Sequence, residues 1–319
     1  MFADLRASDV LAAADRIRGY VRRTPLLRSA ELSTLAGGDV YLKLENQQIT
    51  GSFKLRGALN VLATLSPGAR ARGVVASSAG NHGLGVAYAA KLFDTPATIF
   101  VPAGAPQVKR TGIAKLGASI DTSQPHYDAA MDAAKAFAID RGSTFINPCL
   151  GAMLLAGQGT VAQEVLGDIP HLATLILNVG GGGLLGGCAS LVRRVAPSVH
   201  IAGAQSDQTA AMSLSVAAGR IVPIDNTPTL ADGLAGQIDD EALDIGRRGL
   251  DGIVTVSESE IADAIRWLWQ AERVRAEGAG AAGAAALRTR KLRNVATPAV
   301  IVISGGNIDQ DRFDQILSQ

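Results

Sequence analysis

The chain has 319 residues, 30 Lys+Arg against 29 Asp+Glu, a formal net charge of +1, and 47% hydrophobic and 18% charged residues. That length suits about two domains; the apolar content supports a large buried core and argues against disorder; and the balanced charge offers no basic surplus for nucleic acid or an anionic membrane. Cys149 and Cys188 are the two cysteines and lie far apart, which excludes a disulfide framework and a structural zinc site and fits a reducing, cytoplasmic setting.

In chain order, MFADLRASDVLAAADRIRGY carries acidic residues and no continuous apolar run, so it reads as neither a signal nor a transit peptide. VYLKLE alternates apolar and polar residues and reads as a strand, with Asn46, Gln47 and Gln48 as the polar loop after it. In the following TGSFKLRGALNVLATL, Leu55, Leu59, Val61, Leu62 and Leu65 fall on roughly one helical face, with Ser52 expected as the N-cap. Lys54 is then in the first turn, where the positive end of the helix disfavours a cation. A solvated surface lysine gains nothing there; a lysine used as a neutral amine or an imine does.

Strand, loop and helix then alternate. GVVASS leads to a helix starting near His82, ATIFVP to a helix from Pro106 to Leu116, and GASID to a helix from Tyr127 to Ile139, followed by STFIN. A second series runs through a helix from Gly159 to Leu166, the strand LATLILNV, a helix from Leu184 to Val195 and the strand VHIAGAQ. DGIVTV, the helix ESEIADAIRWLWQAER, an Ala/Gly helix in GAGAAGAAALRTRK and the strand AVIVIS complete it. Such alternation predicts α/β architecture, parallel open sheets with helices on both faces. LATLILNVGGGGLLGG is apolar but glycine-broken and too short to span a bilayer.

Three loops follow strands and precede helices, where open α/β sheets bind ligands: Ser77–Gly83 (SSAGNHG), Gly180–Gly183, and Ser304–Asn307 (SGGN). Four consecutive glycines before a helix free several backbone N–H groups to converge on a phosphate. Gly181, Gly183 and Gly186 also match G-x-G-x-x-G, but the next strand ends in Gln205 rather than the acid that holds a dinucleotide ribose, and no Gly-Lys-Ser/Thr makes a P-loop. SSAGNHG offers Ser78, Asn81, His82 and backbone donors to a carboxylate; a capped helix start is the alternative. His126, His171 and His200 look like ordinary helix or loop positions, which leaves little material for a metal cage or a Ser-His-Asp triad. A phosphate cradle, a lysine at a helix start and a carboxylate loop together point to pyridoxal 5′-phosphate bound to lysine as a Schiff base.

KLENQQITGSFKLRGA, SSAGNHG, AGQGT, VGGGGLLGG, ADGLA, EGAGAAG and SGGNID resemble, in the same order, the fold-type II (tryptophan synthase β-like) pyridoxal-phosphate enzymes, specifically the threonine/serine dehydratase branch related to serine racemase. The resemblance implies a large cofactor-binding domain from residues 1–72 and 151–319 and a small mobile domain from 73–150. It implies that Lys54 carries the cofactor and removes the α-proton, that Phe53 packs beside the ring, that Asn81 bonds the ring 3′-oxygen, and that Gly180, Gly181, Gly182, Gly183 and Leu184 wrap the phosphate. Ser304 then faces the ring nitrogen, and Ser78, Ala79, Asn81 and His82 bind the substrate carboxylate. A neutral serine at the ring nitrogen makes a weaker electron sink, which suits elimination.

The expected reaction is loss of water from a β-hydroxy-L-amino acid, L-threonine or L-serine, giving a 2-oxo acid and ammonia. The alternatives are a racemase or a dehydratase for a bulkier substrate such as 3-hydroxyaspartate or phenylserine. Racemases of this branch have a serine where this chain has Ala79, which favours the dehydratase. The branch often begins a divalent-cation site with a glutamate where this chain has Gln205, so no metal is expected. Partners implied are the small-molecule substrate and further copies of the chain as a homodimer or homotetramer, with neither nucleic acid nor membrane.

Overall fold

The computed structural model describes residues 4–105, 107–225 and 227–319. Among these the strands are β1 (Leu26–Arg28), β2 (Val40–Lys43), β3 (Val74–Ser77), β4 (Ala97–Phe100), β5 (Ser119–Asp121), β6 (Thr144–Phe145), β7 (Thr174–Asn178), β8 (His200–Ser206), β9 (Gly252–Val256) and β10 (Ala299–Val302). They form one sheet in the order β1-β2-β10-β7-β8-β9 and a second in the order β5-β4-β3-β6. Neighbours are parallel apart from the antiparallel edge pair β1–β2.

β7 and β10 are buried along their whole length, as continuous apolar strands are when helices cover both faces of a parallel sheet. One face packs on residues such as Val10, Val161 and Leu185 from the helices Ala7–Ile17, Ala152–Asp168 and Gly183–Val195. The other packs on Ile265, Leu268 and Ala282 from the helices Glu258–Glu272 and Gly278–Arg288. The Ala/Gly helix lies close because it carries no bulk: a Cβ on Gly283 would stand 3.0 Å from Ile301 Cγ2 and 3.2 Å from Ile176 Cγ2. β10 sits between β2 and β7 in parallel register. The carboxyl ends of these three strands therefore deliver the loops after Lys43, after Asn178 and after Val302 to one edge.

The helix Lys54–Thr64 joins the two sheets. Leu55, Leu59 and Leu62 are fully buried in the core of the four-stranded sheet, with Val74, Ala76, Val86 and Ile99. Each such leucine contributes roughly 1.5–3 kcal/mol by leaving water. The opposite side of the helix meets Ala152–Asp168, where a Cβ on Gly157 would lie 2.7 Å from Gly57 Cα.

The alternating architecture follows the sequence expectation, with differences in detail. β1 adds an antiparallel edge. Ser52 is not the N-cap: Phe53 occupies that position with no side-chain cap, because Ser52 is held instead in a backbone bridge with Gly305. The helix expected from Gly159 starts at Ala152. The helix expected from Pro106 is described as Gln107–Ala114, and Pro106 itself lies outside the described residues. No described helix is long and apolar enough to cross a membrane.

Candidate active site

Lys54 opens the helix that bridges the sheets. Its Nζ donates to the carbonyl of Pro148 at 2.6 Å and lies 4.0 Å from Cys149 Sγ. The Phe53 ring flanks it, with its centroid 5.3 Å from Nζ. Among the described residues Lys54 forms no ion pair.

The Pro148–Cys149 turn carries the amine across to the glycine loop. Cys149 and Leu150 both donate backbone N–H groups to Asn147 Oδ1, at 2.8 and 2.9 Å, which fixes the turn. A Cβ on Gly181 would stand 2.7 Å from Cys149 Sγ, and one on Gly183 would stand 3.1 Å from Cys149 Cα. A Cβ on Gly180 would stand 2.8 Å from Leu234 Cα. The glycines are therefore required by close approach on two sides. Gly182 has φ +90° and caps the helix Gly183–Val195, a conformation that glycine adopts without strain. The first bond of this helix runs from Gly186 N–H to Gly182 O at 2.7 Å, so the N–H groups of Gly183, Leu184 and Leu185 have no partner within the helix. The Leu184 side chain is buried in the core; what it offers the loop is its backbone.

Ser304 follows β10 and is buried. Its hydroxyl accepts from Asn178 Nδ2 at 3.2 Å and donates to the Ala279 carbonyl at 3.3 Å. Its own carbonyl accepts from Phe53 N–H at 3.1 Å, which ties the Ser304 loop to the residue before Lys54. Asn81 begins the helix Asn81–Leu92; its Nδ2 donates to Glu277 Oε1 at 2.6 Å, and its Oδ1 accepts from Asn307 Nδ2 at 2.7 Å. Lys54, Phe53, the glycine loop, Ser304 and Asn81 are thus linked through shared neighbours.

The rest of SSAGNHG is arranged differently. The Ser78 hydroxyl turns back to accept from Gly80 N–H at 3.1 Å, and Ala79 is half-buried against the core of the four-stranded sheet. The His82 ring points inward and its Nε2 lies 2.9 Å from the Ile146 carbonyl, so Nε2 carries the hydrogen. Burial, with the Lys54 charge adding to it, pushes the imidazole pKa down to about 3, against a partial upward pull from the Ile146 carbonyl. His82 is a neutral ring committed to the interior, and it faces the loop with its backbone.

Behind Lys54 lies a buried charge cluster. The Arg56 guanidinium donates to both oxygens of Glu45 at 2.8 Å and to Glu164 Oε1 at 2.8 Å. Lys43 Nζ donates to Glu164 Oε2 at 2.5 Å and to the Thr24 carbonyl at 2.7 Å. Burial alone would raise the Glu164 pKa, but Arg56 and Lys43 outweigh it and hold the carboxyl below its ordinary value.

Sequence reasoning did not single out Cys149, Glu277, Asn178 or the buried cluster. Glu277 opens a quoted motif and Cys149 follows Asn-Pro after a strand, but neither position advertises what it touches.

The pattern of the pyridoxal-phosphate dependent enzyme family matches residues 17–305. The chain is 42% identical over 312 residues to the L-threonine ammonia-lyase of Thermotoga maritima, covering 98% of this chain and 78% of that one. Among solved structures, maize serine racemase superposes with a TM-score of 0.92 at 31% identity, covering 98% and 97% of the two chains. The processed form of threonine deaminase isoform 2 from Solanum lycopersicum superposes with a TM-score of 0.90 at 30% identity, covering 98% and 86%. The family uses pyridoxal 5′-phosphate, and the residues present fit it. A loop kept bare by close approach ends in unpaired N–H groups for a phosphate, and a lysine free of carboxylates stands one short turn away. The protein belongs to the pyridoxal-phosphate dependent enzymes of the tryptophan synthase β-like, fold-type II class.

Proposed function

We propose that this protein is a dehydratase (ammonia-lyase) that removes water from a β-hydroxy-L-amino acid, L-threonine or L-serine, leaving a 2-oxo acid and ammonia. The observation that carries the reading is the Lys54 amine, bonded to a neutral carbonyl, facing the glycine loop across Cys149, with alanine rather than a proton donor at position 79. Similarity to threonine ammonia-lyases supports it.

When bound, pyridoxal 5′-phosphate supplies an electron sink for the charge that develops at Cα. The chain's own residues do the rest. Gly180–Leu184 hold the phosphate through backbone N–H groups and the positive end of the helix. Phe53 covers one edge of the ring, Asn81 donates to the ring oxygen, and Ser304 meets the ring nitrogen with a neutral hydroxyl. Ser78 and the N–H groups of residues 79–82, at the start of the helix Asn81–Leu92, hold the substrate carboxylate. Lys54 Nζ takes the Cα proton, and the Pro148 carbonyl is positioned to steady the resulting ammonium. The β-hydroxyl departs as water, and hydrolysis of the released enamine gives the 2-oxo acid and ammonia.

In this reading residues 73–150 act as a small mobile domain against 1–72 and 151–319. The bonds from Lys54 to Pro148 and from Asn81 to Glu277 and Asn307 are those that closure makes.

The test is a parallel assay of 2-oxo acid and product chirality on threonine, serine, 3-hydroxyaspartate and phenylserine. Oxo acid from threonine or serine with little D-amino acid is expected. A second reading, a racemase, draws on the likeness to maize serine racemase; abundant D-serine with little pyruvate would select it.

A further inference from the structure

Glu277, outside the residues assigned roles above, lies at the N-cap of the helix Gly278–Arg288, where the dipole favours a carboxylate. Its Oε1 accepts from Asn81 Nδ2 at 2.6 Å. On the other side, Asn81 Oδ1 accepts from Asn307 Nδ2 at 2.7 Å, and the same Asn307 nitrogen donates to the Thr50 carbonyl at 2.8 Å. The chain is cleared for these side chains. A Cβ on Gly305 would collide with Glu277 Oε1 and stand 3.1 Å from Asn81 Nδ2, and a Cβ on Gly51 would stand 2.8 Å from Asn307 Cγ. The Glu277 backbone is anchored as well, its N–H donating to the Gly305 carbonyl at 3.1 Å.

An amide has two N–H donors and one acceptor oxygen, and an ionised carboxylate only accepts. Glu277 therefore decides which end of Asn81 faces it, since rotating the amide by half a turn would set oxygen against oxygen. With one N–H given to Glu277 and the oxygen occupied by Asn307, Asn81 has a single N–H left to aim.

We propose that Glu277 is a positioning residue for the cofactor: it fixes the Asn81 amide so that the remaining N–H points at the cofactor's ring oxygen and favours the ionised form of that oxygen. The inference rests on the reading of Asn81 given above. Asn81 belongs to the loop after β3, while Glu277 and Asn307 flank β10 and its sheet, so the orientation is set when the two sheets are drawn together.

The test compares pH-dependent visible and near-ultraviolet spectra, and the cofactor dissociation constant by fluorescence, for the wild-type holoenzyme and Asn81→Ala, Glu277→Gln and Glu277→Asp. Glutamine keeps the size of Glu277 but offers either amide end to Asn81. Aspartate keeps the charge but withdraws it by one methylene, and serves should the glutamine variant not fold. Asn81→Ala and both Glu277 variants are expected to lower the ratio of visible to near-ultraviolet absorbance and to shift its pH profile. They are expected to weaken cofactor binding about tenfold, the loss of one charge-assisted hydrogen bond, with kcat falling more than KM rises. An altered Asn81→Ala spectrum beside unchanged spectra in both Glu277 variants overturns the positioning role. An unchanged spectrum in Asn81→Ala overturns the assignment of Asn81 to the ring oxygen, and the inference with it.

Discussion

Lys54 and Arg56 lie two residues apart on one helix, and of the two only Arg56 meets a carboxylate. A step of two residues is roughly 200° around a helix, so one cation turns into the buried Glu45–Glu164 cluster while the other turns toward the Pro148 carbonyl and the glycine loop. The same short motif thus supplies an anchor and a reactive amine. Arg56→Met leaves Glu45 and Glu164 short of their main partner and is expected to cost about 3–5 kcal/mol of stability, seen as a lower denaturation midpoint. Lys54→Ala is expected to keep that midpoint, lose the visible absorbance of the lysine-bound cofactor and slow turnover by about 10²–10⁴-fold or more. Near-wild-type elimination by Lys54→Ala would refute its assignment as the base.

The glycine loop and Cys149 make a prediction about shape. A methyl on Gly181 would lie 2.7 Å from Cys149 Sγ, too close for either to stay in place. Gly181→Ala is expected to weaken cofactor retention on gel filtration by about tenfold or more. Cys149→Ala removes the obstructing sulfur, and the double variant Gly181→Ala/Cys149→Ala is expected to recover most of the loss, a non-additive pair. Strictly additive losses would mean that the contact with Cys149 is not why position 181 is glycine.

A buried neutral histidine has a pH signature. The His82 pKa is pushed from its ordinary 6.5 down to about 3. Between those values the unfolded chain binds a proton at His82 that the folded chain does not, so this residue's contribution to stability is intact above 6.5 and is lost as pH falls toward 3. The slope for one such proton approaches ~1.4 kcal/mol per pH unit. His82→Gln keeps an N–H for the Ile146 carbonyl and removes the titration. Its melting temperature is expected to fall less steeply with acidification than that of the wild type; parallel curves would contradict a buried, neutral His82.

The strand–helix alternation and the three loops were legible because a parallel sheet covered on both faces writes continuous apolar runs ending in glycine or small polar residues, as at Asn178–Gly183 and Val302–Gly305. β1 was not legible: three residues after Pro25, paired antiparallel, carry no period. The start of the helix at Ala152 was hidden because most of its side chains are buried around its whole circumference, which erases the amphipathic signal. Lys54 was readable from an electrostatic oddity in its own turn. Glu277 and Cys149 were not, since each matters for a residue far away in the chain, Asn81 in one case and Gly181 in the other. The inward turn of His82 could not be inferred from a loop sequence that equally suits a ligand.

Ala79 decides between two fates of one charged intermediate state. After Lys54 removes the Cα proton, either the β-hydroxyl leaves or a proton returns to the opposite face. The second outcome requires an acid across the cofactor from Lys54. By family resemblance that acid is a serine at position 79, where this chain has a methyl group, half-buried against the small-sheet core. Wild type is therefore expected to make 2-oxo acid with little D-amino acid, and Ala79→Ser is expected to raise the ratio of racemisation to elimination several-fold. The gain is limited because a new hydroxyl needs neighbours to orient it, and the adjacent Ser78 hydroxyl already receives the Gly80 N–H. Chiral chromatography of L-serine reactions alongside a pyruvate assay measures both rates. If wild type yields substantial D-serine, some other group protonates that face, and the preference for dehydratase over racemase falls. If Ala79→Ser leaves the ratio untouched while the variant folds and holds cofactor, position 79 does not face Cα.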